Sequence, residues 1–542
     1  LRLDPQPVAR QSFHQNGLIN RPATTMGDFM ATIDWVVLWI YFLLMIGIGV
    51  WARRQIKTAA DFFTAGGRMP WWLSGVSHHM SGYSAAVFVG YAAIAYTAGF
   101  TLYVWWAIGI AFAMVVGSFL FAPRWSRLRQ RLEIISPLEY LSTRYGIPTQ
   151  QVLAWSGGAL KVFDVGAKWT ATALLLKVFA DVPLVWGVLL TGGVTLIYST
   201  IGGLWADALT DLSQFVIQLL AGAVLFVAVL TKLGGISAIW TIWDQLPPGH
   251  SQPFNGQYTV VFVLVYLLIN TLSYNGGTWN LAQRFIAAPS GRDARKAALL
   301  SAALYLVWPL ILFFPMWAAP LILPNLAEPQ QSYALLTQTL LPTGLVGLVL
   351  AGMFAHTMAM TSSDANAVSA VVTRDILPVV WKGARRMSEK TELFIGRLST
   401  FLFIALSMGI ALTADSFGGV LGLIILWFGA LVGPIAIPML LGMLPAFRRC
   451  GPTAALTSWA TGLIVFVLVK YVFVDQIKAL NPDWTTSITV AGPVLSSLAV
   501  FIVVGLVAPW RNAEADALID ALESDETAAA GATTRMARTG RA

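Results

Sequence analysis

Apolar stretches close to 20 residues long recur along almost the whole chain, separated by short polar segments. They fall near 33–51, 72–98, 103–122, 151–178, 184–201, 212–231, 258–279, 297–322, 343–372, 396–414, 419–445, 453–474 and 486–508. A helix needs about 20 apolar residues to cross a hydrocarbon core. On a window of roughly 19 residues the pattern therefore predicts about 13 membrane spans. The runs are continuous and do not alternate, which argues against a transmembrane barrel. The expected fold class is all-α, a polytopic membrane helical bundle. Several runs exceed roughly 25 residues and have to tilt, break or extend beyond the bilayer.

Two of the spans carry interruptions. The second contains Gly75-Val76-Ser77-His78-His79-Met80-Ser81-Gly82-Tyr83-Ser84, and the seventh contains Leu272-Ser273-Tyr274-Asn275-Gly276-Gly277-Thr278. Each would open one half of a five-plus-five core at 70–445, with halves of about 70–231 and 258–445. Broken helices at matching positions point to a transporter binding site, because their freed backbone groups can hold ions and substrate at mid-membrane. The alternative is that small residues there only let helices pack closely. Around the core lie a polar N-terminal segment at 1–32, expected to be disordered, an extra helix at 33–51, and two C-terminal helices at 446–510. A tail at 511–542 reads as disordered or weakly helical and cytosolic.

Composition agrees with a lipid environment. The 542 residues are 57% hydrophobic and only 11% charged, against about 25% charged for a soluble domain. The formal charge of +8 does not indicate a nucleic-acid partner, because the bases sit in short loops and form no single soluble face. One side carries Arg53, Arg54 and Lys57, then Arg124, Arg127, Arg129 and Arg131. It continues with Arg284, Arg292, Arg295 and Lys296, then Arg374, Lys382, Arg385, Arg386 and Lys390, then Arg448 and Arg449. The other side has little beyond Lys232 and Lys478. Basic loops stay in the cytoplasm, so the N-terminus is expected outside and the C-terminus in the cytosol of a bacterial-type inner membrane. The single Cys450 rules out a disulfide within the chain. The first 25 residues lack an apolar signal core, and Met26 and Met30 stand as candidate starts.

Four stretches resemble the sodium:solute symporter family, whose members include sodium/glucose and sodium/proline cotransporters. They are Asp61-Phe62-Phe63-Thr64-Ala65-Gly66-Gly67 with Pro70-Trp71-Trp72, then Gly202-Gly203 followed by Thr210-Asp211 and Gln214, then Gln283-Arg284. The last is Ser363-Asp364-Ala365-Asn366-Ala367 running on to Thr373-Arg374-Asp375-Ile376. The resemblance covers roughly 60 to 450 and implies the LeuT-type inverted-repeat fold. It also implies a cation site at Asp211, Ser362 and Ser363, a hard-oxygen shell suited to a small hard cation. Asp211 reads equally as a helix N-terminal charge satisfied by the dipole. The family's main sodium site would use the carbonyls of Met80 and Tyr83 and two hydroxyl residues. An ungapped alignment puts Ala359 and Met360 at the hydroxyl positions, which leaves that site impaired; a two-residue shift would put Thr361 and Ser362 there. Sugar contacts of the glucose branch map onto Gly82, Val87, Val104, Thr278, Tyr305 and Ile425, and most of these cannot bind hexose hydroxyls. The resemblance thus implies a less polar pocket lined by Val87, Val104, Trp105 and Tyr305. Thr278 and Asn280 are its polar points, and Ser84 and Ile425 are further candidates. The same positions can be ordinary packing residues.

Other polar residues inside spans have two readings each. His78, His79 and Asp364 could relay protons, or the histidines could satisfy backbone groups. His356 is expected to face water. Lys161, Asp164 and Lys168 share a helix face; they form a self-neutralising cluster, or one lysine replaces a cation. The expected activity is secondary active transport, sodium-coupled symport of a small organic solute. Proton coupling in the same fold, or an uncoupled membrane sensor or scaffold, are the alternatives. No metalloprotease, paired-cysteine, nucleophile-elbow or P-loop motif occurs, so no enzymatic activity is expected. The partners are then a small-molecule solute and the lipid bilayer, with Na+ or H+ as coupling ion. No organic cofactor, no metal other than sodium, and no ATP-binding partner is expected.

Overall fold

A computed structural model describes residues 30–413, 432–481 and 484–523. Nine helices among the described residues are long and apolar enough to cross a membrane. The expected spans at 72–98 and 151–178 are helical as well, but the first is interrupted by a break and the second by charge. The spans expected at 184–201 and 212–231 are joined without a loop in Leu184–Lys232, 49 residues long and kinked where Gly203 takes φ 50° and ψ −152°. A straight helix of that length would run about 74 Å, more than twice the thickness of a hydrocarbon core. The kink divides it into two membrane-length pieces. A Cβ on Gly203 would stand 2.5 Å from the Phe62 carbonyl oxygen, so only glycine lets the segment Ala59–Thr64 pack there. The first part of the span expected at 419–445, residues 419–431 with Ile425 among them, lies outside the described residues.

The centre of the bundle is the helix Leu345–Val371, in which every residue from Val349 to Val371 is buried. Small residues allow this: a Cβ on Gly347 would meet the Asp34 carbonyl at 2.5 Å and one on Gly352 the Ala221 Cβ at 2.7 Å. The first helix, Thr32–Ala52, is tied to the start of this central helix. Asp34 Oδ1 accepts the backbone N–H of Gly344 at 2.6 Å and of Gly347 at 2.8 Å, where unpaired amides and the helix dipole favour a carboxylate.

The first broken helix consists of Trp71–Met80 and a second piece over Val87–Ala98. In the second, Val260–Leu272 passes through Ser273–Gly277 to Asn280–Ile286, with Gly276 at φ 114° and Trp279 at φ 65°. The two breaks brace one another. The Tyr274 hydroxyl donates to Gly82 O at 2.9 Å and Asn280 Nδ2 to Ser81 O at 3.1 Å. Tyr305 donates to His79 O at 3.1 Å, and Trp125 Nε1 to Asn275 O at 2.9 Å. Backbone groups released by unwinding must be re-satisfied inside a membrane, and here side chains of the opposite break do much of that.

The tail from 511, read as disordered or weakly helical, begins with a helix. Ala513–Ala521 is a helix capped by Asn512, with Leu518 and Ile519 buried. Arg448 pairs with Asp516 and Asp520, and Arg127 donates to the carbonyls of Leu522 and Glu523. The alanine-rich, acidic composition looked solvated; an apolar side and two basic loops hold it down. Residues 524–542 lie outside the described ones.

Candidate functional site: a buried cation cluster and a cavity beside it

Three helices bring oxygen atoms to one point. The long helix Leu184–Lys232 supplies Asp207 and Asp211, and the first broken helix supplies Ser77 and Ser81. Each pair is four residues apart and so lies on one helix face. The central helix supplies Ser362 and Ser363. All six are buried. Ser77 Oγ donates to Asp211 Oδ2 at 2.5 Å and Ser363 Oγ to Asp207 Oδ2 at 2.9 Å, while Ser362 Oγ donates to Asp207 Oδ1. Ser81 and Ser363 hydroxyls are 2.8 Å apart.

A positive group fills the centre. Arg284, from Asn280–Ile286, is fully buried. Its Nη2 lies 3.0 Å from Ser81 Oγ and 3.3 Å from Asp211 Oδ2, and it also contacts Asp207 Oδ2 and Ser363 Oγ. Its Nε donates to Ser77 Oγ at 3.0 Å. Asp211 Oδ1 is buried with no partner among the described residues. Two carboxylates thus face one guanidinium, and an acceptor oxygen is left over. Buried charge is tolerated only where it is paired and hydrogen-bonded, and this set is richer in acceptor oxygens than in positive charge. Its donors are carboxylate and hydroxyl oxygens, the chemistry that a hard cation takes.

The structure brings together Asp211, Ser362 and Ser363, and adds Asp207, Ser77, Ser81 and Arg284. Met80 ends the first half of its broken helix and is buried. Tyr83 turns its hydroxyl to His79 Nε2 at 3.1 Å and to Gln218 Oε1 at 3.4 Å. Ala359 offers its carbonyl, which accepts the Ser362 and Ser363 hydroxyls at 3.1 and 2.7 Å.

A cavity lies beside the breaks. Ser84, Val87 and Thr278 line it, as does the Tyr83 ring. Val104, Trp105, Asn280 and Tyr305 are not on its wall: Asn280 and Tyr305 are spent on the backbone of the first break. Trp105 packs against Tyr258 and Tyr266 with ring centroids 6.1 and 4.8 Å away. The wall instead includes Tyr91, Tyr274, Met360, Asp164 and Lys168.

Asp164 and Lys168 belong to a closed ring of four charges. Lys161 Nζ lies 3.3 Å from Asp164 Oδ2 and 2.6 Å from Asp364 Oδ1. Lys168 Nζ lies 2.8 Å from Asp164 Oδ2 and 2.5 Å from Asp364 Oδ2. Asp364 is thereby held as the partner of two lysines. His78 is also engaged at both nitrogens, with Ser301 Oγ at 2.8 Å and Tyr274 O at 2.9 Å. His79 has one unpartnered nitrogen, and His356, expected to face water, is buried with both unpartnered among the described residues.

Signals for the missed residues were present. Asp207 precedes Asp211 by one helical turn, and Arg284 is the single charged residue between 273 and 291. Pairing them required knowing that the long helix and the second break meet.

Unwound helices that meet beside a mid-bundle cavity define a secondary transporter. The sodium:solute symporter family model matches residues 62–462. A sodium/sialic acid symporter of Aliivibrio fischeri is 25% identical over 81% of this chain and 88% of its own. The human sodium/myo-inositol cotransporter 2 is 25% identical over 83% of this chain and 72% of its own. The substrate-bound outward-open structure of a Na+-coupled sialic acid symporter superposes with a TM-score of 0.75, at 22% identity, over 89% of this chain and 99% of that one. The chain belongs to the sodium:solute symporter family. It is a multi-pass plasma-membrane protein with the LeuT-type fold that couples Na+ to a small organic solute.

Proposed function

We propose that the coupling sodium ion binds among Asp207, Asp211, Ser362 and Ser363, and that the solute binds in the adjoining cavity. The observation that carries this reading is the position of Arg284 Nη2, a cationic nitrogen ringed by two carboxylates and two hydroxyls. A site that holds one cation so closely is built for positive charge. In this conformation the guanidinium stands where the ion would bind, so sodium entry and withdrawal of Arg284 go together. Ala359 and Met360 add no side-chain oxygen on the cavity side, which leaves the usual main site poorly supplied.

One ion is enough to drive accumulation. A charge moving through the membrane field gains about 2.3 kcal/mol per 100 mV, which supports roughly a fifty-fold solute gradient. Proton coupling is less well supported, since His78 is saturated and Asp364 is pinned by two lysines. Arg127 and Arg448 both reach the C-terminal helix, which supports a common cytosolic face for these basic loops and the C-terminus.

The test is solute uptake into proteoliposomes under imposed sodium or proton gradients, in wild type, Asp211→Asn and Ser363→Ala. Loss of sodium affinity in both variants is expected. Sodium-driven uptake with unchanged sodium affinity in both would remove the site, and uptake driven by pH alone would transfer the role to protons.

A further inference from the structure

We propose that the transported solute is a small zwitterion, whose ammonium is taken by Asp164 and the tyrosines of the cavity and whose carboxylate is taken by Lys168. This rests on the cavity being the solute site. In the ring of four charges, Lys161 and Asp364 stand behind and are sealed, while Asp164 and Lys168 form part of the cavity wall. Asp164 receives both lysines on a single oxygen, Oδ2. Its other oxygen, Oδ1, has no hydrogen-bond partner among the described residues, and Asp164 lines the cavity, so Oδ1 is the oxygen a donor from the solute would take. Lys168 is held by two carboxylates, and a solute carboxylate can share or replace one of them. An adjacent acid and base on one wall are the complement of an ammonium and a carboxylate on one small molecule.

Charge balance selects against the other classes. The ring contains two lysines and two aspartates and is neutral. A solute with net charge would leave that charge uncompensated in the membrane interior, where it is costly, whereas a zwitterion adds none. A polyol would find few free hydrogen-bonding groups. The Thr278 hydroxyl donates to Ser273 O at 3.2 Å and Ser84 Oγ accepts Ala86 N–H at 3.3 Å, which leaves Ser273 Oγ without a partner among the described residues. The rest of the wall includes Tyr83, Tyr91 and Tyr274 with Val87 and Met360. Aromatic faces attract an ammonium and offer a sugar hydroxyl nothing comparable.

The experiment uses the purified full-length protein in sodium buffer, read by thermal shift and by counterflow in proteoliposomes. The probes are L-proline, L-alanine and glycine betaine, each at millimolar concentration. N-acetyl-L-alanine and L-alaninamide each lack one of the two charges, and N-acetylneuraminate, myo-inositol and glucose represent the other classes. At least one zwitterion is expected to stabilise the protein and exchange saturably, with the single-charge analogues weaker by about tenfold or more. Silence of all three zwitterions, or analogues that bind equally well, overturns the proposal. So does exchange of the polyols or the acidic sugar in place of zwitterions. Asp164→Asn should lose about tenfold in zwitterion affinity while keeping sodium-dependent stabilisation, which also reports that the variant folds. Zwitterion binding that survives this change unaltered would place the solute elsewhere. A fault in the sodium site would appear in the sodium dependence and leave the selectivity among probes intact.

Discussion

Removing Arg284 should make folding depend on sodium. In Arg284→Ala the guanidinium no longer bridges Asp207 and Asp211, nor donates to Ser77, Ser81 and Ser363. Two buried carboxylates then face each other without a cation. Breaking a buried pair by deleting one partner costs about 3–5 kcal/mol, because the remaining charge stays desolvated. If sodium occupies the vacated position, it restores part of that loss. The linkage term is RT ln(1 + [L]/Kd), about 2.7 kcal/mol for sodium at a hundredfold excess over its dissociation constant. Wild type should gain far less from sodium in this conformation, since the ion has to displace a resident cation. The assay is apparent melting temperature in detergent, in choline chloride and in sodium chloride at equal ionic strength, with Arg284→Lys as a control that keeps a charge but not the fork. The expected result is a large sodium-specific rise in Arg284→Ala, a small one in wild type, and an intermediate one in Arg284→Lys. An equal sodium increment in wild type and Arg284→Ala would show that the guanidinium and the ion do not share a position.

Further outcomes follow from the packing. Gly203→Ala adds a Cβ at 2.5 Å from Phe62 O and at φ 50°, so it should cost about 2–4 kcal/mol; an unchanged apparent melting temperature would refute the kink's role. Cys450 is 5% exposed, and burial pushes its thiol above the usual range against the opposing pull of the Arg144 guanidinium. A raised pKa keeps thiolate scarce at neutral pH, so maleimide labelling of the native protein should be slow and should accelerate as pH rises past the ordinary thiol range; rapid labelling at pH 7 would contradict this. Deleting the chain after Arg511 removes the helix held by Arg127 and Arg448, and should speed proteolysis of the loop around Arg448; an unchanged cleavage rate would show that the helix does not shield it. A reporter active only in the cytoplasm should work when fused after Arg511, and activity of a periplasmic-only reporter there would reverse the orientation.

What the sequence revealed and what it hid follow from the range of the interactions. The spans were legible because lipid imposes length and apolarity locally, residue by residue. The two breaks were legible for the same reason: Gly-Gly at 276–277 and the small polar run around Gly82 interrupt an apolar pattern in place. The absence of a loop between 184–201 and 212–231 was not legible, because whether Gly203 ends a helix or kinks it depends on Phe62, about 140 residues earlier in the chain. Asp211, Ser362 and Ser363 were reached through motif resemblance, and the structure does set them together. Arg284 sat in a recognised motif, but its role depends on contacts to three other helices that no spacing rule encodes. The solute wall shows the same limit more sharply. Val104 and Trp105 were expected on it from alignment, yet the π-helical turn at 103–108 sets Trp105 against Tyr258 and Tyr266. Asp164 and Lys168 were read as a self-neutralising pair, and with Lys161 they are one. What could not be read is Asp364, 200 residues later, which closes the ring from the central helix and presses the Asp164–Lys168 edge against the cavity. Charge in a span signals function through its cost, but which function it serves is decided by the partner that tertiary packing delivers.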